Sequence, residues 1–213
     1  MARLWFFLLL FFLAAPAQAA DPISHEQAVR NLGNAEPAVR HAAVVRLAEI
    51  GRMQDTGVLV PRLKDEDDVV RDAAQAALWM VWSRSGDRKI DALLAQGTLA
   101  MSTGQFDEAL SVFNRVVRQK PDFAEGWNKR ATLYYLVGET AKSLADCREV
   151  IKRNPNHFGA LSGYGQLYLQ LGEPEKALVY FERAYAINPG MDGVAANIEA
   201  IKRLLDKRRR NAV

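Results

Sequence analysis

The chain has 213 residues, 49% of them hydrophobic and 25% charged, proportions that are ordinary for a globular protein and exclude a wholly disordered or collagen-like polypeptide. Its 28 basic and 25 acidic residues leave a formal charge of +3, too balanced to neutralise many phosphates, so nucleic acid is not expected as a partner. The single cysteine, Cys147, excludes an intramolecular disulfide, and with three histidines the chain holds few soft metal ligands.

Residues 1–20 read as a secretory leader. Arg3 starts it, residues 4–15 are unbroken apolar sequence, and Ala17-Gln18-Ala19 has the small-x-small form of a cleavage site. The apolar run is shorter than the ~20 residues a spanning helix needs, and Pro16 interrupts it, which argues against the alternative of an uncleaved anchor. Removal of residues 1–19 and export are expected, to the periplasm if the source is a Gram-negative bacterium.

Over residues 22–83 a period of 31 is visible: Leu32, Val39, Arg40, Ala42, Ala43 and Leu47 are matched by Leu63, Val70, Arg71, Ala73, Ala74 and Leu78. Each copy predicts a short apolar helix, a turn with Pro or acidic residues, and an alanine-rich second helix. The Val-Arg, Ala-Ala, Leu pattern resembles two HEAT-like repeats of the phycobilisome-lyase type. Residues 84–89 are a polar break, either a flexible linker or a turn within one continuous superhelix.

From Ile90 the period becomes 34, with Gly104, Gly138 and Gly172 in one register and Pro121, Pro155 and Pro189 in another. Three units follow, at 90–123, 124–157 and 158–191. Each has a glycine between its two helices, where one turns into the next, and a proline that stops the second helix. The spacing of Gly97, Phe106, Ala109 and Phe113, then Trp127 and Tyr134, then Gly165, Tyr168, Ala177, Phe181 and Ala184 resembles the tetratricopeptide repeat. In the middle unit Ala131, Thr140, Ser143 and Cys147 depart from that pattern, which predicts looser packing there. A helix over 193–207, with Val194, Ile198, Ile201 and Leu205 on one stripe, would cap the array, ahead of a basic tail at 208–213. The predicted fold is all-α, a right-handed superhelix of helical hairpins.

No nucleophile elbow, phosphate loop, zinc-binding His-Glu-x-x-His or Cys-x-x-Cys is present, so no catalytic residue, metal or cofactor is assigned. His25-Glu26 is the one pair that suits a metal-dependent hydroxylase of HEAT-like build, and that is the rival reading. Cys147 falls in register with Phe113 and Phe181, which predicts a buried thiol with a raised pKa. His157 reads as a turn residue, Asp65-Glu66-Asp67-Asp68 as a solvated capping turn, and the aromatic rows as core between helices. The basic run 207–210 complements a helix C-terminus, with weak contact to an anionic membrane surface as the alternative use.

The resemblance to tetratricopeptide repeats implies that the first helix of each unit lines a concave groove that holds a protein or peptide. The positions that would meet it are Leu94, Thr98 and Met101; Asn128, Lys129, Thr132 and Tyr135; and Ser162, Gln166 and Leu169. This surface is amide, hydroxyl and apolar. Only Asn128 and Lys129 approach the basic clamp that some relatives use for a terminal carboxylate, so an internal segment or a folded surface is the expected ligand. The whole reading is an exported, non-catalytic adaptor.

Overall fold

The computed structural model describes residues 23–211, so the leader expected at 1–19 lies outside them. The described residues are all-helical: α1 His25–Asn31, α2 Pro37–Ile50, α3 Thr56–Leu59, α4 Asp68–Trp82, α5 Arg88–Ser102, α6 Phe106–Gln119, α7 Ala124–Leu136, α8 Thr140–Arg153, α9 Phe158–Gln170, α10 Pro174–Ile187 and α11 Asp192–Asn211. None of these helices is long and apolar enough to cross a membrane.

In the N-terminal part, the repeated Val-Arg has one physical job. Arg40 Nη1 donates to the carbonyls of Asn34 and Ala35 at 2.9 and 2.8 Å, and Arg71 Nη1 donates to those of Asp65 and Glu66 at 2.8 and 3.0 Å. Each arginine thus ties the turn that precedes its own helix. The acidic turn is less solvated than its composition predicts. Asp65 is buried and gripped by a two-pronged Arg40, at 2.9 and 2.6 Å, and by Arg62 at 2.9 Å. Asp67 caps α4 by accepting from the Val70 amide at 3.0 Å. Glu66 stays exposed.

Burial pushes the Asp65 carboxyl up, but hydrogen bonds from Arg40 and the Asp67 amide outweigh it and hold the group below the usual carboxylate range. A carboxyl lowered in the folded state adds stability above its unfolded pKa of about 4 and loses it as pH falls through the folded value. Thermal melts between pH 3 and 7 should therefore show a steep loss below about pH 4. Asp65→Asn should be less stable at neutral pH and flatten that slope; an unchanged slope would remove Asp65 from the account.

From α5 onward, successive helices pack against one another as paired hairpins in an α–α superhelix. Gly104, Gly138 and Gly172 have φ of 76°, 78° and 73°, a region that a side chain disfavours. Each ends its helix the same way: the following amide reaches back to Ala100, Tyr134 or Tyr168 at 2.8 to 2.9 Å and satisfies a carbonyl of the last turn. Within the first and third hairpins, a phenylalanine ring packs directly on glycine. A Cβ on Gly97 would sit 2.6 Å from the Phe113 ring, and one on Gly165 would sit 2.9 Å from Phe181. The middle hairpin exchanges both partners, with Ala131 where the glycine belongs and Cys147 where the ring belongs.

α11 closes the array with Val194, Ile198 and Ile201 packed on Ala177, Phe181 and Ala184. It runs to Asn211, beyond the expected end at 207, so the basic run 207–210 is helical rather than a free tail. The aromatic rows are mostly core, but Phe106 is exposed, and half-buried Trp127 lies between the guanidinium groups of Arg130 and Arg153 at 4.9 and 4.7 Å.

The break before α5 is an ordered turn. Arg84 donates to the carbonyls of Gly51 at 2.8 Å and Ala48, and the Ser85 amide donates to Asp91 at 2.7 Å. Yet α4 makes little contact with α5 and does not stack on it as the next layer. It turns back across the array instead. Trp82 stacks on His157 at 4.5 Å, Trp79 meets Phe158 edge-on at 5.3 Å, and Gln75 accepts from Asn188 at 2.5 Å. Read backwards from its C-terminus, α4 therefore runs along the array toward its far end.

Candidate functional site

The two central first helices, α7 and α9, set the geometry of the concave face. At their N-termini this face is already filled. His157, expected in a turn, is 0% exposed and is the N-cap of α9. Its Nδ1 accepts from the Ala160 amide at 3.0 Å, which leaves the proton on Nε2 to donate to Glu125 at 3.1 Å. Glu125, 1% exposed, also accepts from Asn128 at 3.0 Å and pairs with Lys129 at 3.3 Å. Trp82 and Trp79 lie over this cluster, so the inner wall is not wholly free: the chain's own α4 covers one margin of it.

Beyond that margin the face is open. A cavity of about 210 Å³ lies between α7, α8 and α9, with Asn128, Thr132 and Tyr135 on one side and Gly159, Gly163 and Gln166 on the other. Ser143 and Cys147 contribute from α8. The Ser143 hydroxyl is spent on the Ala131 carbonyl at 2.8 Å. Burial pushes the Cys147 thiol up to about 12, so it remains protonated at neutral pH.

Of the ten groove residues expected from sequence, four thus converge on one cavity: Asn128, Thr132, Tyr135 and Gln166. Leu94, 5% exposed, packs largely against Ile90, Phe113 and Val116, and its remaining edge lines a second hollow with Thr98 and Lys129. Met101 packs at the edge of that same cluster, and Leu169 packs with Phe181 and Ile198. Thr98 and Thr132 donate to the carbonyls one turn back, Leu94 and Asn128, at 2.8 and 3.0 Å. Lys129 is tied to Glu125, and Ser162 lines a shallow hollow with Trp79 and Gln75, under the edge of α4.

The bare walls at Gly159 and Gly163 were not picked out from sequence. The signal was present in Cys147, a small thiol where the neighbouring units carry the rings of Phe113 and Phe181. As for the rival reading, His25 bonds Asp55 at 2.9 Å and Glu26 is exposed. Among the described residues no three His, Cys, Asp or Glu side chains gather as a metal set.

Tetratricopeptide repeat profiles match residues 94–156 and 158–191. The chain carries tetratricopeptide repeats. A TPR repeat-containing protein of Rhizobium etli is 33% identical over 86 residues, 40% of this chain and 42% of that protein, so the chain spans about two fifths of the curated relative it matches. Among solved structures, the Sgt2 TPR domain from Aspergillus fumigatus aligns at TM-score 0.55 with 21% identity, over 60% of this chain and 85% of that one. The first TPR of Spaghetti (RPAP3), bound to the HSP90 peptide SRMEEVD, aligns at 0.54 with 22% identity, over 56% and 94%. The TPR2B domain of yeast Sti1, in complex with an Hsp70 peptide, aligns at 0.52 with 17% identity, over 55% and 99%. These likenesses carry the TPR fold.

Proposed function

We propose that this protein is an exported, non-catalytic adaptor that holds an extended segment of a partner protein in the concave groove of its second and third tetratricopeptide repeats. The observation that carries the reading is the open cavity where Asn128, Thr132, Tyr135 and Gln166 converge. The solved TPR domains with bound chaperone peptides support a peptide ligand. A preformed curved wall binds such a segment with little ordering cost on its own side. The N-terminal helices, read as two HEAT-like repeats, brace that wall through α4, and residues 1–19 act as the export leader.

The ligand is an internal segment rather than a free C-terminus. Asn128 and Lys129, the two residues nearest to a carboxylate clamp, both turn to Glu125. A second carboxylate beside that pair would meet like charge.

The test is panning a random library of end-blocked peptides against the full chain. Binders are expected, and Tyr135→Ala with Gln166→Ala should weaken them at least ~10-fold, the effect of losing about 1.4 kcal/mol at a central anchor. The melting temperature should fall by less than about 5 °C. Absence of any binder, or binders indifferent to both substitutions, overturns the reading. In the same preparation, expressed with its leader and exported, the mature chain should start at Ala20.

A further inference from the structure

We propose that the cavity in the middle repeat is a receptor for one compact, uncharged apolar side chain of the bound peptide, so that the groove selects its segment at that position. This rests on the groove reading above and narrows it.

The cavity comes from a paired exchange in this chain. In the first and third repeats a phenylalanine ring fills the space against a bare glycine, Phe113 on Gly97 and Phe181 on Gly165. In the second, Ala131 and Cys147 stand there, and the small thiol does not replace a ring. The space opens on the groove between α7 and α9.

The chain itself shows how this wall takes a side chain. At Gly159 the Trp79 ring lies so close that an added Cβ would fall 2.4 Å from it. One turn further along α9, at Gly163, a Cβ would meet nothing within 4 Å. The bare stretch of backbone that receives Trp79 thus continues, unoccupied by the chain, into the cavity, which also has Gly159 in its wall.

Charge and size restrict the occupant. The lining holds no Asp, Glu, Lys, Arg or His, so a charged side chain there would be desolvated without a counter-charge. An apolar cavity of roughly 150 Å³ accepts a benzene-sized group. At about 210 Å³ this one has room for a leucine, isoleucine or methionine side chain. The Asn128 and Gln166 carboxamides line it from α7 and α9; the Asn128 nitrogen donates to Glu125, which leaves its oxygen to accept from a peptide N–H, while Gln166 can serve a peptide N–H or C=O.

The experiment titrates N-acetyl-leucine N′-methylamide into the full chain and follows the amide signals of Cys147 and Gly163 by NMR. Saturable shifts at both are expected, with N-acetyl-aspartate N′-methylamide at least ~10-fold weaker, about 1.4 kcal/mol. Ala131→Gly with Cys147→Phe restores the arrangement of the neighbouring repeats; it should fold, fill the cavity and abolish the shifts. Gly163→Leu fills the space from the opposite wall and should do the same if the double variant does not fold. Absence of saturable shifts in the unaltered protein, equal response to both probes, or unchanged shifts in a folded filled variant overturns the inference. Library peptides that still depend on Tyr135 and Gln166 would then leave the groove reading standing. Saturation by the leucine probe with no library peptide bound would sink the groove reading alone.

Discussion

Trp82→Ala is expected to lower folding free energy by about 3–5 kcal/mol, the range for truncating a buried large aromatic side chain. Trp82 is 2% exposed and works on two sides at once. Its indole N–H donates to Thr56 at 3.1 Å within the N-terminal part, and its ring covers His157 at the N-cap of α9. Truncation leaves the Thr56 hydroxyl without that donor and uncovers the His157–Glu125 pair to water. Urea denaturation reads the loss. Hydrogen exchange at the Ala160 amide, which His157 holds, reads the undocking. A loss confined to the N-terminal part, with Ala160 still protected, would show that α4 does not brace the repeats.

Phe113→Ala should cost a similar amount, about 3–5 kcal/mol. The ring is fully buried and lies on Gly97, and a close-packed crossing of two helix backbones cannot collapse onto the void. The same truncation one unit later, Cys147→Ala, should cost only about 1 kcal/mol, since a thiol is small and already borders empty space. Chemical denaturation of the two variants side by side is the measurement. Equal losses would contradict the exchange of large for small at this register.

The periodic part of the fold was legible in the sequence because its causes are local. Gly104, Gly138 and Gly172 mark where a helix must end with positive φ, and the phenylalanine–glycine pairs mark where two helices of one hairpin cross. The position of α4 was not legible. The Gln75–Asn188 bond joins residues 113 apart, and no repeat period relates them. For the same reason His157 read as a turn residue: nothing nearby in sequence announces two tryptophans arriving from α4. Leu94 and Leu169 lie further in than the repeat register alone indicates, since neighbouring side chains close over part of each. Asn128, Thr132, Tyr135 and Gln166 come together around one cavity because the middle hairpin stays open between them.

In a linear stack of hairpins each layer feels only its neighbours, so unfolding can begin at either end and spread inward. Here α4 clasps the third repeat, and the N-terminal block and that repeat hold one another as in a buckled belt. Unfolding of the N-terminal block or of the third repeat must break the clasp, which also loosens the other. Such a chain should melt in a single cooperative step, and a peptide seated in the middle should stiffen both ends together.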